Sequence, residues 1–110
     1  MTVIVDSSSI IALQRVGLLE LLPRLYGSEI LIPPGVRDEI EDEGRMRVSD
    51  HSFLRVVPNP PSQAMPAKLH TGEREAIALA ASRPDCLLLM DERDGRRFAA
   101  MMGITVLGTR

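Results

Sequence analysis

The stretch TVIVDSSS, residues 2–9, predicts a short buried strand that ends at an acid. Its first four residues are β-branched, a composition typical of strands, and Asp6 follows directly. The stretch CLLLMD, residues 86–91, repeats this arrangement, since a second apolar run ends at Asp91. Ligands of open parallel sheets bind beyond the carboxyl ends of the strands. We therefore expect Asp6 and Asp91 to share one crevice.

Three further apolar runs accompany these two, and helical patterns separate all five. The five predicted strands are Thr2–Val5, Glu29–Ile32, Phe53–Val57, Cys86–Met90 and Ile104–Leu107. Strands that alternate with helices form right-handed βαβ crossovers and a parallel sheet. The predicted fold class is therefore α/β with three layers, a central parallel sheet of about five strands with helices on both faces.

Capping residues and apolar spacing predict five helices. They are a first helix capped by Ser7–Ser9, a second over Leu18–Tyr26 interrupted at Pro23, a third opened by Pro33 and Pro34, a fourth beginning at Thr71 and Gly72, and a fifth from about Asp94 to Met102. The fourth contains EAIALAA, which is apolar nearly all round and should be buried. The stretch Pro58–Pro66 holds four of the eight prolines and predicts an extended surface connection inside a single domain.

The composition is that of a globular chain without the charge of a dedicated nucleic-acid binder. Hydrophobic residues make up 45% and charged residues 25% of the 110 residues, and the formal net charge is −2. Any contact with nucleic acid must therefore depend on local arginines or bound metal. The lone cysteine, Cys86, excludes an internal disulfide, so we expect a cytoplasmic protein. Neither a signal peptide nor an apolar run of about 20 residues is visible, so we expect no membrane association.

Each acid that follows a strand has a structural alternative to a functional role. Asp6 could be the N-cap of the first helix, although the serines after it could also cap and leave the carboxylate free. Asp91 could be a structural acid at the end of a buried strand. In the run that follows it, Asp94 could cap the last helix and Glu92 could simply be solvated.

The helical acids are harder to distinguish by position. Glu39 lies beside the apolar stripe of the third helix, but Glu43 does too, so spacing does not choose between them. Glu75 should lean toward packed surface, where a carboxylate without a partner is costly. Glu73 is explained by the helix macrodipole and by capping. A cluster of such acids would offer the hard oxygen ligands that suit Mg²⁺ or Mn²⁺.

Five segments carry a resemblance to a known family. They are VIVDSSSII (residues 3–11), IPPGVRDEI (32–40), GEREAIALA (72–80), LLLMDERDGRRFA (87–99) and ITVLGT (104–109). In this order they resemble the PIN domain, most closely its VapC-like subgroup of small prokaryotic nucleases. The resemblance implies four catalytic acids that bind the metal: Asp6, Glu39, Glu75 and Asp91. It also implies Ser8 as a polar neighbour of the first aspartate and a further acid from Glu92 or Asp94.

The resemblance further implies a Mg²⁺- or Mn²⁺-dependent endoribonuclease that hydrolyses RNA phosphodiesters, with water as the nucleophile, and that serves as the toxin of a toxin–antitoxin pair. Its partners would be RNA, a small antitoxin protein and a second copy of the chain in a homodimer. Near the second strand-end acid, Arg93, Arg96 and Arg97 could contact phosphates. Alternatively, they could form a solvated helix face that pairs with Glu92 and Asp94.

The sequence stops at Arg110, whereas sequences that resemble it usually continue into another helix. We therefore expect residues 1–110 to form one PIN-like domain that is short of the family's usual C-terminal helix. That would leave part of the apolar surface of the last helix and strand without its cover. The alternative function is a catalytically inert PIN-like binding module or a truncated remnant.

Overall fold

Five short strands form one parallel sheet in the computed structural model, which describes residues 2–27, 29–43, 46–60 and 69–108. The strands are β1 (Thr2–Val5), β2 (Ile30–Ile32), β3 (Leu54–Val56), β4 (Cys86–Leu89) and β5 (Thr105–Leu107). Their order across the sheet is β3-β2-β1-β4-β5, and each neighbouring pair is parallel. Each strand lies within its predicted apolar run.

Helices connect the strands, and the described ranges contain five of them. They are α1 (Ser7–Arg15), α2 (Leu21–Tyr26), α3 (Pro34–Asp42), α4 (Thr71–Ala81) and α5 (Arg93–Met101). A 3₁₀ turn at Val48–Asp50 precedes β3. Because α1, α3 and α5 follow β1, β2 and β4, their N-termini lie at the carboxyl edge of the sheet. Since α4 ends just before β4, it also begins at that edge.

The sheet packs helices on both faces because successive strand residues point to opposite sides. One core cluster joins the sheet to α1, α2 and α3, and its buried members include Val3, Val5, Ile10, Leu22 and Ile40. The other joins the sheet to α4 and α5, and its buried members include Ile4, Leu88, Ile77, Leu79 and Ala99. These layers confirm the predicted α/β fold class.

Three helix starts differ from their predicted form. Helix α1 is capped by Asp6 and not by the serines, because the Asp6 carboxylate accepts the Ser9 amide. Helix α2 begins three residues later than predicted, so Pro23 lies in its first turn and does not interrupt it. Helix α5 is capped by Glu92 and not by Asp94, since the Glu92 carboxylate accepts the Asp94 amide.

The predicted burial of the fourth helix is confirmed for its centre, where Ala76–Ala80 are buried. The predicted Pro58–Pro66 connection is described as far as residue 60, and its remainder lies outside the described residues. No helix within the described ranges is both long and apolar enough to cross a membrane.

Leu88 and Leu25 provide a matched test of the core. The Leu88 side chain is fully buried, whereas Leu25 on α2 is 66% exposed. We expect Leu88→Ala to lower the free energy of unfolding by about 2–5 kcal/mol, because it removes apolar contacts and leaves a cavity. We expect Leu25→Ala to change it by about 0.5 kcal/mol or less. Urea denaturation measures both, and a similar loss for the two variants would contradict the assigned core.

Candidate functional site

The carboxyl ends of β1 and β4 meet at one edge of the sheet. Their register pairs Val5 with Leu89, and the Asp6 amide donates a hydrogen bond to the Leu89 carbonyl at 3.1 Å. Asp6 is the first residue after β1, and Asp91 is the second after β4. The sheet therefore brings both strand-end acids to the edge at which α1, α3, α4 and α5 begin.

Asp6 is fully buried and acts as the N-cap of α1. Its Oδ1 accepts the Ser9 amide at 3.0 Å, and its Oδ2 accepts the Ser8 hydroxyl at 2.8 Å. Burial raises the pKa of Asp6 from 3.8 to about 6, the Ser9 and Ser8 hydrogen bonds oppose that rise, and the Glu73 carboxylate adds to it. The Asp6 carboxylate therefore caps α1 and is also the candidate functional acid, and the Ser8 hydroxyl donates a hydrogen bond to it.

Glu73 is the acid on α4 whose charge adds to the raised pKa of Asp6, and the sequence predicts for it only a role in capping and in the helix macrodipole. The capping role is correct, since its Oε1 accepts the His70 amide at 2.9 Å. Its Oε2, however, is buried with no hydrogen-bond partner among the described residues, and the residue is only 5% exposed. Burial raises the pKa of Glu73, the His70 amide opposes that rise, and the Glu92 and Glu39 carboxylates add to it. The predicted burial of α4, with Glu73 in its first turn, was the sequence signal that could have indicated a role for Glu73 beyond capping.

Glu39 is half-buried on α3 and lies against the first turn of α4. Its Oε1 is buried without a hydrogen-bond partner in the described part of the chain. That oxygen occupies the space that a Cβ atom would take at Gly72. Glu43, the alternative left open by the spacing, is exposed at the C-cap of α3. Of these two acids, Glu39 is the one in contact with α4.

Glu75 turns toward the start of α3. Its Oε1 accepts the backbone amide of Gly35 at 2.6 Å, across 40 residues of sequence. The half-buried carboxylate therefore has the partner that its position requires.

Asp91 is half-buried beside the end of β5. A Cβ atom added to Gly108, the residue after β5, would lie 3.6 Å from the Asp91 Oδ1 and would overlap the Arg96 Nη1. The second strand-end acid and a guanidinium group of α5 thus lie against the same glycine.

The remaining candidates surround the first turns of α5. The exposed Glu92 accepts the Asp94 amide at 3.0 Å, and Asp94 is half-buried. Arg96 is half-buried, whereas Arg93 and Arg97 are exposed. The arginines predicted to contact substrate therefore differ in accessibility, and Arg96 lies against the same glycine, Gly108, as Asp91.

The whole chain matches a known family. The model of the family DUF3368, a PIN domain, matches residues 2–110. The chain belongs to the PIN-domain family. The fold agrees, since a PilT N-terminus domain protein from the hyperthermophilic archaeon Sulfolobus solfataricus P2 superimposes with a TM-score of 0.76 over 98% of this chain and 87% of that one, at 17% identity. No curated protein matches the chain. The resemblance to PIN domains is confirmed, and the VapC-like subgroup stays a prediction.

PIN domains typically use divalent metals, so the fit of this PIN domain to such an ion can be tested on its side chains. Within the described ranges, no three His, Cys, Asp or Glu side chains stand together in a geometry that could hold a metal. The donor chemistry nevertheless fits, because Glu39 and Glu73 each bury a carboxylate oxygen that has no hydrogen-bond partner in the described part of the chain. Carboxylate oxygens are the ligands that Mg²⁺ and Mn²⁺ prefer. Side-chain movement would be needed to gather them around one ion.

The buried Asp6 predicts an unusual dependence of stability on pH. The folded protein keeps the Asp6 proton to higher pH than the unfolded chain, so the contribution of Asp6 to the free energy of unfolding should fall as pH rises from about 4 to above 6. The shift from 3.8 to about 6 corresponds to about 3 kcal/mol. In EDTA, Asp6→Asn should therefore be more stable than the parent at pH 8, by up to that amount, because Asn keeps the N-cap without the charge.

Urea denaturation of Asp6→Asn and the parent at pH 4 and pH 8 measures this difference. Asp85→Asn is the control, since Asp85 is an exposed aspartate before β4. A stability difference between Asp6→Asn and the parent that is the same at both pH values would contradict the raised pKa.

Proposed function

We propose that this PIN domain is a Mg²⁺- or Mn²⁺-dependent endoribonuclease that hydrolyses RNA phosphodiesters at the carboxyl edge of its sheet. PIN domains are generally nucleases, which supports hydrolysis of a phosphodiester. The observation that carries the proposal is that Asp6 is fully buried at this edge, while Glu39 and Glu73, on helices that begin there, each bury a carboxylate oxygen without a hydrogen-bond partner among the described residues. Acids held together out of water repel one another, and a divalent cation would keep them ionised at neutral pH.

We assign Asp6 and Asp91 as the principal ligands, with Glu39 binding directly or through water. The fourth acid comes from α4, which carries both Glu73 and Glu75. When bound, the cation would act as a Lewis acid that activates water and stabilises the charge developing on the phosphate. The chain itself orients the first ligand, because the Ser8 hydroxyl and the Ser9 amide each hold one Asp6 oxygen.

Arginines would bring the RNA to these acids. With a net charge of −2, the chain as a whole does not attract a polyanion. Arg96 lies near Asp91, and Arg93 and Arg97 are exposed on the same helix. Guanidinium groups bind phosphate oxygens with paired hydrogen bonds. We therefore assign phosphate contact to these three side chains of α5.

For the biological role, we propose the toxin of a toxin–antitoxin pair, with a small antitoxin protein or a second copy of the chain as the protein partner. Several large apolar side chains are exposed, among them Leu18, Leu25, Met101 and Leu107. An apolar groove of about 290 Å³ lies beside α2 and is lined in part by Leu13, Leu21, Leu22 and Tyr26. Exposed apolar surface of this kind is typical of protein contacts.

A catalytically inert binding module is the second candidate function. One observation favours it: among the described residues, no three His, Cys, Asp or Glu side chains are grouped so that they could hold a metal ion. Metal binding and RNA cleavage distinguish the two functions.

We expect Mn²⁺ or Mg²⁺ to stabilise the parent protein, because the ion compensates the repulsion between buried carboxylates. At about 100 times its dissociation constant, an ion that binds only the folded state adds about 2.7 kcal/mol to the free energy of unfolding. With either ion present, the parent should cleave single-stranded RNA. Asp6→Asn and Asp91→Asn should lose both the stabilisation and the cleavage.

Thermal unfolding with and without millimolar Mn²⁺ measures stabilisation, and gel analysis of a labelled RNA pool measures cleavage. The exposed variant Asp85→Asn should behave as the parent does in both assays. Metal binding without cleavage of any RNA in the pool would favour the inert module. A melting temperature that no metal changes would contradict the metal site itself.

A further inference from the structure

Helix α4 carries two acids, Glu73 and Glu75, whose side chains face different neighbours. Glu73 and Glu75 are two residues apart, so their side chains leave the helix about 200° apart. Glu75 contacts the start of α3, whereas Glu73 is buried and places its Oε2 beside Gly95 in the first turn of α5. The resemblance to PIN domains assigns the α4 acid of the site to Glu75, whereas the contacts of these two side chains favour Glu73.

The start of α3 explains why Glu75 is needed there. Its N-cap, Pro33, has no capping side chain, and Pro34 has no amide hydrogen. The amides of Val36 and Arg37 both donate to the Pro33 carbonyl, at 3.1 and 3.2 Å. The Gly35 amide is thus left to find an acceptor outside the helix. Glu75 supplies that acceptor from α4.

Two glycines allow the helices to approach closely enough for this contact. A Cβ atom at Gly35 would lie 2.6 Å from the Glu75 Oε1 and 2.8 Å from its Cδ. In the opposite direction, a Cβ atom at Gly72 of α4 would overlap the Glu39 Oε1 of α3. Each helix therefore places a glutamate over a glycine of the other. We call these four residues, Gly35, Glu39, Gly72 and Glu75, the α3–α4 clasp.

Glu73 has the features expected of a site ligand. It is 5% exposed, and its Oε1 is held by the His70 amide. Its Oε2 is buried without a hydrogen-bond partner among the described residues, and it would lie 3.3 Å from a Cβ atom at Gly95 in α5. A buried oxygen that is already oriented and still lacks a partner is suited to an added cation.

We propose that Glu75 is a positioning residue, which caps α3 from α4 and so holds Glu39 in place, and that Glu73 is the acid of α4 that serves the site with Asp6. The second half of this inference rests on the proposed function. The first half depends only on the clasp.

A double-mutant cycle between Gly35 and Glu75 tests the clasp. Helix propensity alone predicts that Gly35→Ala stabilises α3, because Ala is a better helix former than Gly. The clasp predicts the opposite sign, a lower urea midpoint, because the new methyl group displaces the Glu75 carboxylate. In a Glu75→Ala background, Gly35→Ala should raise the midpoint. A rise of the midpoint in both backgrounds would overturn the clasp.

Hydrogen exchange at the Gly35 amide gives a second readout. Glu75→Ala should speed its exchange by about tenfold or more, since a hydrogen bond to a charged group is lost. Glu75→Gln should restore protection, because the amide oxygen of Gln can still accept from Gly35. Exchange at Gly35 that is equally fast in the parent and in Glu75→Ala would contradict the cap.

Mn²⁺ titration followed by electron paramagnetic resonance tests the division between the two acids. Glu73→Gln keeps an oxygen for the His70 amide but removes the charge, so it should weaken Mn²⁺ binding at least about tenfold. Glu75→Gln should stay within about twofold of the parent. The reverse order, or equal losses, would overturn the assignment of Glu73. A parent that binds no Mn²⁺ would overturn the proposed function and this assignment together, while the exchange and cycle results would still decide the clasp.

Discussion

The parallel pairing of β1 with β4 is the constraint on which the rest of the site depends. Because Val5 pairs with Leu89, the two central strands end at the same level, and the next residues of each must leave the sheet at one edge. Helices α1 and α5 begin there, and α3 and α4 begin beside them. Acids at these junctions therefore lie at one edge of the sheet.

Helix N-termini compensate only part of the resulting charge. Asp6 accepts an amide of α1, Glu75 an amide of α3, Glu73 the amide at the start of α4, and Glu92 an amide of α5. Each such contact stabilises a carboxylate. At Asp6, burial outweighs the hydrogen bonds from Ser9 and Ser8, and the pKa rises to about 6. The hydrogen bonds from backbone amides therefore compensate the negative charge of this edge only in part.

Local patterns in the sequence were sufficient for the strand ends, whereas features set by contacts between distant residues could not be predicted from it. The β-branched run before Asp6 and the apolar run before Asp91 located both strand ends, because strand composition and position are local properties. The choice between Glu73 and Glu75 was not local. It depends on which face of α4 meets α3, and this is set by contact with Gly35, 40 residues away. The α5 cap is a further case: the sequence allowed Asp94 to cap this helix, and the structure has Glu92 as the cap, two residues earlier.

The energetics of the clasp differ at its two ends. A glycine in a helix costs about 1 kcal/mol relative to alanine, and the clasp has one in the first turn of each helix. At Gly35 the cost is offset, since a hydrogen bond to a charged group contributes about 1.5–3 kcal/mol. At Gly72 the close approach of Glu39 yields no hydrogen bond among the described residues, and a buried oxygen is left without a partner. The stabilising end holds the helices together, and the costly end carries Glu39. Natural proteins retain unfavourable contacts of this kind mainly at functional sites, and the clasp offsets the cost at Glu39 with the hydrogen bond at Gly35.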